Sequence, residues 1–308
     1  IDSLLKIKGI CHIKNNITGV VMYADDLNIL CENASSLNEA LAVCSEYGSK
    51  NDIKYNANKT TFMIFGTKQQ RLQRPTIKMS GLRLERSTKV KLLGRIFDET
   101  LREDDHLGQR SKKTFGAYHN LTKIGINSKK ASYKYKVGLF KIFCRPILHY
   151  GAESLKMTQK IRKRMTTIEG GLVKRSIGLN KRSRNKKLME ALNFEHPITY
   201  IDRMRLKLAL RLTLNPLTRE ILDAQIHDKN DKWSFANEIN RITNTISSSI
   251  EEMKENIHKT LATFKKLKKE IRNDEEVRAI KRCLDNQNEF NRKKLQELVM
   301  PEQREKIG

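Results

Sequence analysis

Two aspartates, Asp25 and Asp26, stand side by side in "VVMYADDLNIL", residues 20–30. Val20, Val21, Met22, Leu27, Ile29 and Leu30 around them read as a buried strand, a place where ionised carboxylates rarely sit unpaired. Neighbouring side chains of an extended strand point to opposite faces, so both acids reach one ion only where the backbone turns. The stretch "ITGVVMYADDLNILC" therefore reads as a β-hairpin with the acidic pair at its tip. Two hard oxygen ligands suit Mg²⁺, which takes one or two carboxylates and completes its shell with water and substrate phosphates. Two such ions about 4 Å apart activate a hydroxyl and stabilise a leaving phosphate in line. The competing reading is an ordinary exposed turn, where Asp is common.

The elements that must position this pair are legible in the pattern on either side. "IDSLLKIKG" reads as a helix end closed by Gly9. "SSLNEALAVCSEYGSK" reads as an amphipathic helix capped by Ser35 or Ser36, with Glu39 completing a capping box. Strands are expected near 53–55 and 60–65, a hairpin turning at Ser80–Gly81, and one further strand in "VKLLGRIF". After about residue 103 the pattern is helical, over 105–124, 129–143, 158–177, 185–193 and 198–214, with Gly125, Pro146, Gly151, Pro197 and Pro216 among the breakers. A long amphipathic stretch, 236–272, carries an apolar stripe from Ile239 to Ile271 that suits core packing or a partner helix, self-association included.

Charge is distributed as unevenly as structure. The 308 residues carry a formal net charge of +26. Residues 1–66 hold 6 Lys and Arg against 7 Asp and Glu, whereas residues 67–192 hold 32 against 9. Residues 193–308 hold 23 against 19. So local an excess repels itself without a polyanion and points to nucleic acid. Cys11, Cys31, Cys44, Cys144 and Cys283 show neither Cys-x-x-Cys nor zinc-ligand spacing and read as reduced thiols of an intracellular protein. No apolar run approaches ~18 residues, so no membrane span is expected.

"YADD" between apolar strands resembles motif C of reverse transcriptases, and the order of the downstream segments resembles the non-LTR retrotransposon class over about residues 1–215. "GSKNDIKYNANKTTFMIFG" resembles motif D, and "KVKLLGRIFDETL" resembles motif E, the primer grip. "KTFGAYHNLTKIG", "VGLFKIFCRPILHYGAE" and "GLVKRSIGLN" resemble the thumb and the region beyond it. Group II intron maturases also carry YADD, but "RPILHYGAE" fits the non-LTR class better. The resemblance implies an α+β fold: a partial right-hand polymerase palm over 1–102, an antiparallel sheet bearing the YADD hairpin. An all-α thumb and connection would occupy 103–215, and a helical C-terminal extension 216–308.

The same resemblance implies roles by position. Asp25 and Asp26 would hold two Mg²⁺ ions. Tyr23 and Ala24 would pack under the primer end and the incoming dNTP. Lys59 would donate a proton to the leaving pyrophosphate, general-acid help typically worth ~10²–10⁴-fold. Leu92, Leu93 and Gly94 would grip the primer. Lys112, Lys113, Lys129, Lys130, Lys134, Lys136, Arg162, Lys163 and Arg164 would hold an RNA template–DNA primer duplex by its phosphates. "NKRSRNKK", residues 180–187, suits a nuclear-import patch, hence the nucleus, or a phosphate-contacting loop.

The chain departs from the family's pattern in one important respect. The third metal-binding Asp belongs to motif A, upstream of motif B, and "IDSLL" resembles the end of the motif B helix. Motif A and the fingers are therefore expected to be missing, and the two-metal site to be incomplete. Two other readings stand beside an RNA-directed DNA polymerase: an inactive nucleic-acid-binding module, and a helical interaction protein built on residues 236–308.

Overall fold

The hairpins form where the sequence supplies residues that tolerate tight turns. In a computed structural model of the chain, the described residues are 2–14, 16–128, 130–228, 234–271, 274–286 and 289–300. They form two units, Ile1–Asp105 and His106–Gly308. The fold is mixed α+β and mostly helical. The division falls between Asp105 and His106, and the helices on both sides of residue 215 belong to the second unit.

The first unit opens with a short helix, α1 (Asp2–Leu5), followed by the hairpins β1 (His12–Ile13) with β2 (Asn16–Ile17) and β3 (Val20–Tyr23) with β4 (Asp26–Ile29). Helix α2 (Ala34–Lys50) comes next, and then β5 (Thr61–Phe62), α3 (Lys68–Leu72) and the hairpin of β6 (Lys78–Met79) with β7 (Leu82–Arg83). Strand β8 (Glu85–Arg86) pairs parallel to β5, and β9 (Lys89–Leu92) pairs antiparallel with β10 (Arg95–Asp98). An Ile10–Cys31 bridge and bonds from Cys11 N to Leu30 O (2.9 Å) and Leu30 N to Gly19 O (2.7 Å) tie the first two hairpins together. The core of this unit gathers Leu4, Ile10, Leu41, Cys44, Ile77 and Leu84, with Val20, Leu27 and Ile29 of the β3–β4 hairpin packed against it.

Several expectations are corrected here. The expected palm sheet is five separate two-stranded pairings rather than one sheet. Helix α2 is capped by Asn33, whose side chain accepts from Ser36 N at 2.9 Å. Ser36 instead donates its hydroxyl to Lys8 O at 2.8 Å, and it lies inside the first turn. No strand forms at 53–55, and "VKLLGRIF" is a hairpin that turns at Leu93 (φ +46) and Gly94 (φ +80), not one strand.

The second unit is helical: α4 (Asp104–Lys123), α5 (Tyr133–Leu139), a π-helical turn Phe140–Cys144, α6 (Arg145–His149), a 3₁₀ turn Ala152–Ser154 and α7 (Gln159–Ser176). Then come α8 (Lys186–Ala191), α9 (Pro197–Leu212), α10 (Pro216–His227), α11 (Phe235–Thr243), α12 (Ile250–Ile271), α13 (Glu275–Asp285) and α14 (Glu289–Val299). The π turn lies directly before Pro146, which cannot donate to the carbonyl one turn back and so displaces the regular ladder.

The expected single helix over 236–272 is broken. α11 ends at Asn244 in the left-handed region (φ +57), and α12 starts six residues later. The break rotates the apolar stripe: Ile239, Ile242, Ile250, Met253 and Ile257 enter the core, while Ile246 is 87% exposed. All five cysteines are free thiols. Among the described residues no helix is long and apolar enough to cross a membrane.

Candidate metal-binding turn and nucleic-acid interface

The acidic pair is placed by register. Val20 pairs with Ile29, Val21 with Asn28, Met22 with Leu27 and Tyr23 with Asp26, which leaves Ala24 and Asp25 as a two-residue turn. Val20, Leu27 and Ile29 pack on the core, so the alternation of side chains puts Val21, Tyr23, Asp26 and Asn28 on the opposite face. Ala24 turns the chain at φ +52, a left-handed conformation that costs a residue with a Cβ about 1–2 kcal/mol. Asp25 and Asp26 are both exposed, as are Met22 at 50% and Tyr23 at 63%. The reading of this run as a buried strand is thus corrected: one face is only half-buried against the core, and the tip stands in solvent.

This strained, open tip lies within a stretch that has relatives. The model of one protein family, described as "Reverse transcriptase (RNA-dependent DNA polymerase)", matches residues 8–97. That stretch of the chain is similar to reverse transcriptases. No curated protein and no solved structure matches the chain. The reverse transcriptase match takes in the YADD turn, Lys59 and the Leu92–Gly94 turn, and stops short of the helical unit.

Around the YADD turn, the two carboxylates can offer oxygen ligands to a hard cation such as Mg²⁺, which takes one or two carboxylates plus water and phosphate oxygens. Among the described residues no group of three or more His, Cys, Asp and Glu side chains is gathered so as to hold a metal. The chemistry of this donor set fits part of one cation's shell.

The other predicted residues of the matched stretch sit on or beside turns. Lys59 is exposed on a single turn held by Asn56: Lys59 N donates to Asn56 O (3.0 Å) and to Asn56 Oδ1 (3.2 Å), and Thr60 Oγ1 donates to Asn56 O (2.9 Å). Leu93 and Gly94 form the β9–β10 turn, with Leu93 exposed and Leu92 half-buried beside it. Asp98, at the end of β10, accepts from Thr100 N (2.8 Å) and Arg102 N (3.3 Å). Burial alone would raise its pKa, but those bonds and Thr100 Oγ1 hold the carboxyl below its ordinary value.

Outside the reverse transcriptase match, the basic residues divide into two kinds. Lys112, Lys113, Lys130 and Lys163 are exposed, and Lys134 is exposed while pairing with Asp285 at 3.0 Å. Arg164 is half-buried, and Lys129 lies outside the described residues. Arg162 is 8% exposed, with its guanidinium engaged by Asp202 (3.2 Å), Glu238 (3.4 Å) and Met157 O (3.2 Å). Lys136 is also buried, and burial followed by Arg292 pulls its ammonium below the usual lysine value. The expectation that these two face a duplex is corrected: sequence counts charge but does not show that a cation is committed to its own fold. Sequence reading also missed Lys174, buried and bonded to two loop carbonyls, because a lysine in a basic helix gives no signal of burial.

Proposed function

We propose that the chain belongs to an RNA-directed DNA polymerase of the non-LTR retrotransposon class, with Asp25 and Asp26 at its reaction centre and the helical unit as its nucleic-acid holder. The observation that carries the reading is the YADD sequence on a two-residue β-turn inside the reverse transcriptase match. Asp25 and Asp26 would hold Mg²⁺, and that ion, when bound, supplies activation of the primer 3′-hydroxyl and charge neutralisation at the phosphates. Tyr23 and Ala24 would support the primer end, and Leu92, Leu93 and Gly94 would bear on the primer strand. Lys59 would give its proton to the departing pyrophosphate. Lys112, Lys113, Lys130, Lys134 and Lys163 would hold the template–primer duplex by phosphate contacts, which fix position without reading sequence.

The second reading is a chain that binds nucleic acid without extending it. It is favoured by the donor set at the turn, two carboxylates with no third acid or histidine gathered beside them among the described residues. Primer extension on an RNA template with Mg²⁺ or Mn²⁺ separates the two. Incorporation abolished by Asp25→Asn/Asp26→Asn supports the polymerase; duplex binding with no incorporation supports the second reading.

A further inference from the structure

We propose that the loop Asn180–Lys186 is a preorganised grip for nucleic-acid phosphates, held in its turn by the buried ammonium of Lys174. The proposal rests on the nucleic-acid reading of the helical unit and deepens it, assigning the contact to one loop and naming the residue that positions it.

The basic run 180–187 has two uses available to it in sequence. A transport receptor that takes such a run as an extended strand needs its backbone free. A phosphate grip needs the opposite, a backbone fixed in advance so that little order is lost on binding. The structure fixes it. Helix α7 ends with Gly178 at φ +77, and Leu179 N returns to Lys174 O at 2.9 Å. Asn180 Oδ1 then accepts from Arg182 N at 2.9 Å, and Asn180 O accepts from Ser183 N at 3.1 Å.

Lys174 reaches under this turn. Its Nζ donates to Lys181 O and to Ser183 O, both at 2.8 Å, and the side chain is 5% exposed. An ammonium is costly to bury unless it is hydrogen-bonded, and charge-assisted bonds are about twice as strong as neutral ones. The far end of the loop is tied as well. Arg184 N donates to Val299 O at 2.5 Å. Asn185 lies so close to Gly170 that a Cβ there would come within 2.6 Å of Asn185 Nδ2.

With its carbonyls drawn inward, the loop turns its cations outward. Lys181, Arg182 and Lys186 are exposed and make no ion pair among the described residues, whereas the adjacent Lys187 is paired with Asp274. Three cations without an ion pair on a fixed turn repel one another in the absence of a polyanion. A phosphate backbone supplies closely spaced negative charges that release counterions when neutralised.

The test uses the full chain and a short fluorescein-labelled RNA–DNA duplex, with anisotropy titrations at rising KCl. Lys181→Gln/Arg182→Gln/Lys186→Gln should lower the slope of log Kd against log [KCl] by about 2–3 while leaving the thermal melt unchanged. Lys174→Met, which removes no exposed charge, should also weaken binding and should speed tryptic cleavage after Lys181 and Arg182 about tenfold or more. A triple variant with the wild-type slope overturns the proposal while leaving the nucleic-acid reading of the unit standing. A wild-type chain that ignores the duplex overturns both. Cleavage of the wild-type loop as fast as that of Lys174→Met removes the preorganisation and the proposal with it. Capture by a nuclear-import receptor that is lost in the triple variant and enhanced by Lys174→Met overturns it in favour of a transport signal.

Discussion

Tyr23 and Asp26 face each other across the β3–β4 ladder, so the whole reversal of the chain falls on Ala24 and Asp25. Ala24 accepts a left-handed φ of +52 to make it. Ala24→Gly relieves that conformation but loosens the unfolded chain, and the two effects nearly cancel, leaving stability within ~0.5 kcal/mol. Ala24→Val puts a β-branched residue at positive φ and should cost about 2 kcal/mol. Urea midpoints for the two variants check the contrast.

Gly19 sits where the first two hairpins cross. A Cβ there would lie 2.6 Å from Leu30 O and 2.7 Å from Cys11 N, both backbone atoms that cannot turn aside. Gly19→Ala should therefore cost ~1–3 kcal/mol by overpacking, although its φ is ordinary for any residue. Chemical denaturation of the variant measures it.

Arg162 and the Lys112–Lys113 pair should behave oppositely. Arg162→Gln leaves half-buried Asp202 and buried Glu238 short of a partner and should destabilise the helical unit by about 1–3 kcal/mol. Lys112→Gln/Lys113→Gln should leave stability within ~0.5 kcal/mol and lower the salt slope of duplex binding by about 2. Thermal melts and anisotropy titrations read the two effects separately.

Acid should weaken the helical unit through Glu195. Burial alone would raise the pKa of this carboxyl, but Arg203, bonded to it at 2.9 and 2.6 Å, holds it below its ordinary 4.5. A carboxyl depressed in the folded state contributes stability that is fully present above 4.5 and is lost as pH falls through the folded value. The melting temperature should fall with pH below 4.5, and Glu195→Gln should be less stable at neutral pH with a flatter acid limb. Thermal melts of both proteins from neutral pH down to acid give the comparison.

Much of this architecture is legible in the residues themselves. The "YADD" hairpin and the Ser80–Gly81 turn come from alternation and turn chemistry, and the helices from 105 to 214 come from apolar spacing and the Gly and Pro breakers. The misses have physical reasons. "KLLGR" offers a turn only because Leu93 tolerates a positive φ beside Gly94, which pattern alone disfavours. Asn244 breaks the 236–272 stripe by entering the left-handed region, a conformation Asn permits but does not announce. At the site, residue types show that Asp25 and Asp26 suit a cation, but only the fold separates the exposed lysines of α4 from the buried Arg162, Lys136 and Lys174.

The most direct measurement of the central claim is primer extension by the full chain on an RNA template with a DNA primer, run beside Asp25→Asn/Asp26→Asn. Both proteins should bind the duplex with similar salt dependence, since the exposed lysines are untouched, and any nucleotide addition should be confined to the wild type. Incorporation that persists in the double variant contradicts a reaction centre at this turn, and duplex binding with no incorporation by the wild type favours the second reading.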